Sequence, residues 1–310
     1  MTGGAGFIGS HLVDRLIRER PARVVVIDNL RIGNRANLAG ALGRSGVELR
    51  VIDATSQLAV RAALRRAKAD VVFGLATIQL VASLVKPRWA ADQIMRMATV
   101  LAELARLGEY QTLVYCSSSE VYGTAVRVPM SETHPYNVET PYAAAKAAGD
   151  LVVRSYTRTF GIDATIVRPF NTYGPRQTDG DYAPIIPLTI RRLREGSPPV
   201  IQGDGRQTRD YLYVTDSADA IVRAYRATAT RGRVVNVASG IEVSITEIVG
   251  RLCRLMGYKG EIAYVPTRPG DVRRHRGDAS VAHALLGFRP RITLTQGLRR
   301  TVSWYLGSSG

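Results

Sequence analysis

Tyr142 and Lys146 stand four residues apart, so in a helix their side chains leave the same face one turn from each other. A phenol with an ordinary pKa of about 10 is a poor base at neutral pH. An ammonium beside it favours the phenolate, which can then take the proton of an alcohol. Pro141 immediately before Tyr142 suits the first turn of a helix. A second hydroxyl comes from Cys116-Ser117-Ser118-Ser119-Glu120-Val121-Tyr122-Gly123, where Ser118 is the candidate to share the proton network with Tyr142. Alone, a Tyr-x-x-x-Lys pair is common on solvated helices and a serine cluster is common in turns. No His/Asp pair supports a serine nucleophile. The two cysteines, Cys116 and Cys253, form no C-x-x-C pair, so neither a metal-ligand cluster nor a disulfide framework is expected.

The company those residues keep gives them weight. Gly3-Gly4-Ala5-Gly6-Phe7-Ile8-Gly9 has the G-x-x-G-x-x-G spacing and opens an amphipathic stretch through Leu12, Leu16 and Ile17. Such a turn lets the backbone approach a pyrophosphate, and the helix N-terminus behind it offers free N–H groups to the phosphates. Asp28 follows about twenty residues later, at the end of Val24–Ile27, where a carboxylate hydrogen-bonds the adenosine ribose hydroxyls. The same charge repels a 2′-phosphate, which favours NAD over NADP, with Arg31 nearby tempering that preference. The positive nicotinamide ring would add to the ammonium in favouring a Tyr142 phenolate. Alcohol oxidation, with hydride leaving the carbon as the proton leaves the oxygen, is the chemistry these residues can do together.

The elements that must position them are legible in the pattern. Short runs rich in β-branched residues occur at Val24–Ile27, Val47–Ile52, Val71–Leu75, Thr112–Cys116 and Ala164–Val167, as for strands buried on both faces. Helical patterns separate them at about 10–34, 57–67, 91–107 and 141–160. That alternation predicts an α/β fold, a doubly wound parallel sheet of Rossmann type over 1–168. After Arg168, prolines at 169, 175, 184, 187, 198 and 199 punctuate shorter elements, which reads as a smaller C-terminal α/β region over 169–207 and 240–310. Tyr211–Val214 and Val234–Val237 are expected to return to the first region, so that 208–239 belongs with it. Only Met1 and Thr2 precede Gly3. Loss of a central strand would expose apolar surface on both neighbours, so the recorded start is expected to lie downstream of the true one.

At 310 residues and 45% hydrophobic the chain can bury a large core, and no apolar run approaches the roughly 20 residues needed to cross a bilayer. With no signal segment and no disulfide pattern, a cytoplasmic location is expected. The formal net charge of +16 could mean nucleic-acid binding. Only four of the 42 basic residues are lysine, however, and the arginines are spread along the chain without a dense basic tail or an aromatic-interleaved stripe. No nucleic-acid partner is expected. A positive field suits a dianionic small substrate equally well.

Taken together, these motifs resemble the extended short-chain dehydrogenase/reductase family, in its NAD-dependent NDP-sugar epimerase/dehydratase branch. The resemblance runs from Thr2-Gly3-Gly4-Ala5-Gly6-Phe7-Ile8-Gly9-Ser10-His11 nearly to the C-terminus. Its landmarks include Asp28-Asn29-Leu30, the Ser117–Gly123 motif, Pro141-Tyr142-Ala143-Ala144-Ala145-Lys146 and Arg168-Pro169-Phe170-Asn171-Thr172-Tyr173-Gly174-Pro175-Arg176. Gly203-Asp204-Gly205-Arg206-Gln207-Thr208-Arg209-Asp210-Tyr211 and Arg268-Pro269-Gly270-Asp271 complete it. It implies that Ser118, Tyr142 and Lys146 are the catalytic triad, with Tyr142 as base. Gly3, Gly6, Phe7, Ile8, Asp28, Asn29, Leu30, Asp53, Leu75, Phe170, Tyr142 and Lys146 are the implied cofactor contacts. Ser118, Ser119, Glu120, Asn171, Arg176, Arg209, Arg268 and Asp271 are the implied contacts of a nucleotide sugar, with arginine forks on the diphosphate.

Two departures fall beside the cofactor: Gly74-Leu75-Ala76-Thr77 replaces the family's His-Leu-Ala-Ala, and Ile94 stands where an asparagine is usual. The branch shares one opening step, oxidation at sugar C4 to a 4-keto intermediate. A glucose-type 4,6-dehydratase needs an acid and a base beside the catalytic hydroxyl, typically Asp-Glu. Ser119-Glu120 stands there instead, which counts against it. GDP-mannose-type dehydratases and UDP-glucuronate decarboxylases carry Ser-Glu and stay open as alternatives. The expectation is a 4-epimerase acting on a UDP-hexose or UDP-hexuronate, a homodimer through the helices at 91–107 and 141–160. A silent NAD- or RNA-binding relative is the remote alternative, and the intact triad speaks against it.

Overall fold

A computed structural model describes residues 1–180 and 183–307. The β-branched runs become strands buried between layers, while the stretches between them carry one apolar face and coil into helices. After the glycine turn come α1 (Phe7–Ile17), β1 (Val24–Asp28), α2 (Ala39–Leu42), β2 (Val47–Val51), α3 (Gln57–Ala67) and β3 (Val71–Gly74). Next are α4 (Leu80–Val85), α5 (Pro87–Arg106), β4 (Thr112–Cys116), α6 (Pro141–Phe160), β5 (Asp163–Pro169) and β6 (Asn171–Tyr173). Then follow α7 (Ile185–Arg194), β7 (Val200–Gln202), β8 (Thr208–Tyr213), α8 (Val214–Arg226) and β9 (Val234–Val237). The chain continues through β10 (Glu242–Ser244), α9 (Ile245–Leu255), β11 (Ala263–Val265), α10 (Ser280–Leu286) and α11 (Leu294–Tyr305).

The main sheet is parallel throughout. β2 pairs with β1 at Val47↔Val24, and β3, β4, β5 and β9 follow one another through Val71↔Thr112, Thr112↔Asp163 and Ile166↔Val234. Residues 1–3 lie between β1 and β3 and join the two sets. Thr2 bridges Ile27 on one side and Gly74 on the other, its N–H donating to the Phe73 carbonyl at 2.9 Å and that of Gly3 to Ile27 at 2.8 Å. Strand order reverses at this point, which opens a crevice at the carboxyl ends of the strands. One face of the sheet buries Leu12 and Val13 of α1 with Ala218, Ile221 and Val222 of α8. The other buries Val60 and Leu64 of α3, Leu101 and Leu104 of α5 and Val153 of α6.

Two expectations change. The helical pattern at 10–34 is α1 alone, ending at Ile17; Arg20 turns with φ 53°, Pro21 follows, and the β-branched run takes the chain into β1. Of the two later runs, Val234–Val237 joins the main sheet beside β5. Tyr211–Tyr213 does not: β8 pairs with β6 and antiparallel with β10 in a separate three-stranded sheet. β7 and β11 form a further parallel pair. The sequence reading also passed over α4, six residues too short to show a helical period. Among the described residues no helix is long and apolar enough to cross a membrane.

Candidate active site

A cleft of about 820 Å³ runs along the carboxyl ends of the strands, between the main sheet and the later elements. Its first wall is the glycine turn. Gly3 sits at φ +72°, and a Cβ there would lie 2.5 Å from the Ala76 nitrogen. A Cβ on Gly9 would overlap the Gly3 carbonyl oxygen, so α1 can enter this closely only without a side chain. A Cβ on Gly6 would meet that same oxygen at 3.3 Å, a tight contact but less severe than at Gly3 or Gly9. No side chain caps α1 at Gly6. A diphosphate can therefore approach the first turn of the helix from the cleft, where the N–H groups and the dipole favour it. Asp28 braces this turn: its carboxylate accepts the N–H groups of Ala5 at 3.0 Å and Leu30 at 2.9 Å. Spare lone pairs remain on each oxygen for ribose hydroxyls. Asn29 reaches Asp53 at 3.4 Å, and Asp53 is fixed by Thr55 at 2.9 and 2.7 Å.

The catalytic candidates converge at the middle of the cleft. Ser118 follows β4, and its hydroxyl accepts the Glu120 N–H at 3.2 Å, capping a 3₁₀ turn over Ser119–Tyr122. Thr140 caps α6 by accepting the Ala143 N–H at 3.1 Å, and Pro141 occupies the first helical turn. Tyr142 is thereby held in that turn, with Ser118 the neighbouring hydroxyl that bears on its ionisation. Lys146 is buried one turn on, its ammonium donating to the Cys116 carbonyl at 2.9 Å and lying 5.5 Å from the Tyr115 ring.

The electrostatics differ from the expectation. Burial raises the Tyr142 pKa, and the Ser118 hydroxyl is the group that opposes it. Burial likewise lowers Lys146, opposed by the charges of Cys116 and Asp150. The ammonium's hydrogen bond goes to the β4 backbone rather than to the phenol, and burial favours the neutral form of Tyr142.

Beneath the pair lies a buried ion network. Arg168 donates to Asp150 at 2.8 Å and to the Tyr122 and Tyr136 hydroxyls at 2.7 Å each, and Tyr122 donates to Asn236 at 2.7 Å. It ties β5, α6 and the 3₁₀ turn together under the catalytic loop.

Of the residues named from sequence, Gly3, Gly6, Phe7, Ile8, Asp28, Asn29, Asp53, Leu75, Phe170, Tyr142 and Lys146 line the cleft. So do Ser118, Ser119, Glu120, Asn171, Arg176, Arg209, Arg268 and Asp271. Leu30 does not: at φ 57° its side chain turns into the core beside α1, and only its N–H serves the site, through Asp28. Arg176, expected on the substrate, pairs with Asp14 of α1 at 2.7 Å. Arg209 and Arg268 converge on Asp271 at 2.6 and 3.5 Å. Asn171 lies 3.2 Å from His275, whose other ring nitrogen is 3.1 Å from the Ser119 carbonyl. The sequence reading missed Thr77–Val81, Gln177, Gln207 and Tyr211, all on the cleft wall. Gln207 and Tyr211 sat inside a quoted motif, and only their burial distinguishes them.

This is a dinucleotide-binding sheet with a Ser–Tyr–Lys site at its switch point. A family profile described as the NAD dependent epimerase/dehydratase family matches residues 1–238. The chain is 36% identical to UDP-glucose 4-epimerase of Mycolicibacterium smegmatis, over 100% of this chain and 98% of that one. It superposes with a TM-score of 0.92 on UDP-glucose 4-epimerase of Thermotoga maritima solved with UDP-glucose, at 30% identity over 99% and 97% of the two chains. The dTDP-glucose 4,6-dehydratase of Streptomyces venezuelae, solved with NAD and TYD bound, gives 0.93 at 31% identity over 99% and 96%. The chain belongs to the NAD dependent epimerase/dehydratase family.

Proposed function

We propose that the protein is a nucleotide-sugar 4-epimerase, acting on a UDP-sugar through a 4-keto intermediate. The observation that carries this reading is Tyr142, together with Ser118 and one turn from Lys146, inside a cleft whose far end holds Arg209, Arg268 and Asp271. The glycine turn, Asp28 and Asn29 would hold NAD, which supplies a hydride acceptor and donor when bound. Tyr142 takes the C4 hydroxyl proton and later returns it, with the Ser118 hydroxyl sharing that proton. Lys146 anchors α6 to β4 and keeps a positive charge beneath the site. Arg268 presents a buried Nε without a partner among the described residues, a donor suited to a diphosphate oxygen.

Ser119 supports epimerisation over elimination. Its side chain is buried and its carbonyl lies by His275, so no carboxylic acid stands at that position to protonate a leaving hydroxyl. Glu120 does line the cleft, and the dehydratase likeness makes 4,6-elimination or decarboxylation the second reading. A homodimer through the outer faces of α5 and α6 belongs to the same proposal; Met95, Leu151 and Phe160 stay exposed there, and a monomeric mass by light scattering would remove it.

NMR of the products from a panel of UDP-, dTDP- and GDP-sugars decides the reaction. An equatorial/axial mixture at C4 is expected, and loss of water or carbon dioxide overturns it. Tyr142→Phe should retain NAD yet lose about 10²–10⁴-fold in turnover; near-normal turnover would refute Tyr142 as base.

A further inference from the structure

Gln207 is 6% exposed and lines the far end of the cleft. Its amide nitrogen donates to the Gln202 carbonyl at 2.6 Å and to the Asp271 carboxylate at 3.3 Å. Both neighbours only accept, which fixes the orientation of the amide: the NH₂ must face them and Oε1 must face away. That oxygen is buried and has no hydrogen-bond partner among the described residues. A buried acceptor left unpaired is costly, so a donor is required there.

A diphosphate cannot supply one, because its oxygens only accept. It would instead sit on the adjacent donors, Arg209 and Arg268, which share the other oxygen of Asp271. The reacting sugar must lie at Tyr142 on the main sheet, whereas Gln207 is tied to β7, which pairs with β11 outside that sheet. What remains beyond the diphosphate is the nucleoside, which offers ribose O–H groups and the imide or amide N–H of the base.

We propose that Gln207 Oε1 is a specificity-determining acceptor for a nucleoside hydrogen-bond donor, fixed in that role by Gln202 and Asp271. The inference rests on the nucleotide-sugar reading of the site. The test is isothermal titration calorimetry on the NAD-loaded full chain. UDP, dTDP and GDP are titrated first, and the tightest binder becomes the parent. Its 2′-deoxy, 3′-deoxy and base-N-methyl analogues are then compared with it, a dTDP parent needing only the last two.

One analogue should bind at least about tenfold more weakly than the parent, and that analogue identifies the donor. In Gln207→Met the parent should weaken by a similar factor, and the penalty of that analogue should disappear. Inorganic pyrophosphate, which reads the arginine cluster alone, should bind both proteins equally. Analogues all within twofold of the parent on the unsubstituted protein would overturn the proposal, since water then satisfies the oxygen. So would a parallel loss of pyrophosphate binding in Gln207→Met, which would make the residue a brace for Asp271. If no nucleoside diphosphate binds, the functional reading itself falls, a result distinct from either.

Discussion

The Ser118 hydroxyl is the group that opposes burial at Tyr142, so its removal should change the pH dependence of turnover rather than turnover alone. A hydrogen bond worth about 0.5–1.5 kcal/mol, at about 1.36 kcal/mol per pH unit, corresponds to a rise in the phenol pKa of about 0.4–1.1 units in Ser118→Ala. On the proposed reading Tyr142 acts deprotonated, so the acid limb of kcat, where rate falls as pH falls, moves to higher pH by that amount. Below the limb the variant loses about 2.5- to 12-fold by protonation of the base alone, and that part returns as pH rises. A second effect is superimposed. The same oxygen accepts the Glu120 N–H, and losing a cap costs about 1 kcal/mol of local order, which lowers the rate equally at every pH. Steady-state kcat across the neutral to alkaline range separates the two, and Ser118→Thr, which keeps the hydroxyl, should restore the limb. A uniform loss with the limb unmoved would refute the argument and leave Ser118 as a substrate-positioning group.

Three further perturbations follow from the geometry. Gly9→Ala drives a methyl into the Gly3 carbonyl oxygen and to 2.8 Å from the Gly4 Cα, both backbone; purified protein should lose bound NAD and about 1–3 kcal/mol of stability, and retention of both would show that the turn can move. Asp150→Ala strands the Arg168 guanidinium, itself 1% exposed, and should cost about 3–5 kcal/mol in urea unfolding, with Asp150→Leu/Arg168→Met recovering most of it; a loss under about 1 kcal/mol would mean the two tyrosines suffice. Burial holds His11 down to about 4, from an ordinary 6.5. Its unfolded form binds a proton first as pH falls, so folded-state stability is complete above about 6.5 and declines toward 4, by about 2 kcal/mol between pH 7 and pH 5. His11→Gln should lack that part of the decline; equal drops in both proteins would put the acid sensitivity elsewhere.

What the sequence made legible was local and periodic. The strands from Val24 to Val167 are β-branched runs bounded by polar stretches, and α6 announces itself through Pro141, a residue that suits a first turn. Tyr142, Lys146 and the glycine turn were readable because their chemistry depends on spacing within one element. The rest depends on long-range pairing, which spacing does not encode. Tyr211–Tyr213 has the composition of a main-sheet strand, yet it takes its parallel edge from β6, which opens at Asn171 just past the end of β5 at Pro169. Leu30 follows Asp28 in a cofactor motif, but a positive φ turns its side chain into the core.

The ionisation of Tyr142 belongs with these long-range effects. Its spacing from Lys146 is encoded locally, but the partner of that ammonium is a carbonyl of β4, thirty positions away in the chain, and only the folded sheet brings it within 2.9 Å. A helix read in isolation therefore points the ammonium at the phenol, whereas in the packed protein its hydrogen bond goes to the backbone. On the proposed reading, a positively charged nicotinamide ring would favour the phenolate that burial disfavours.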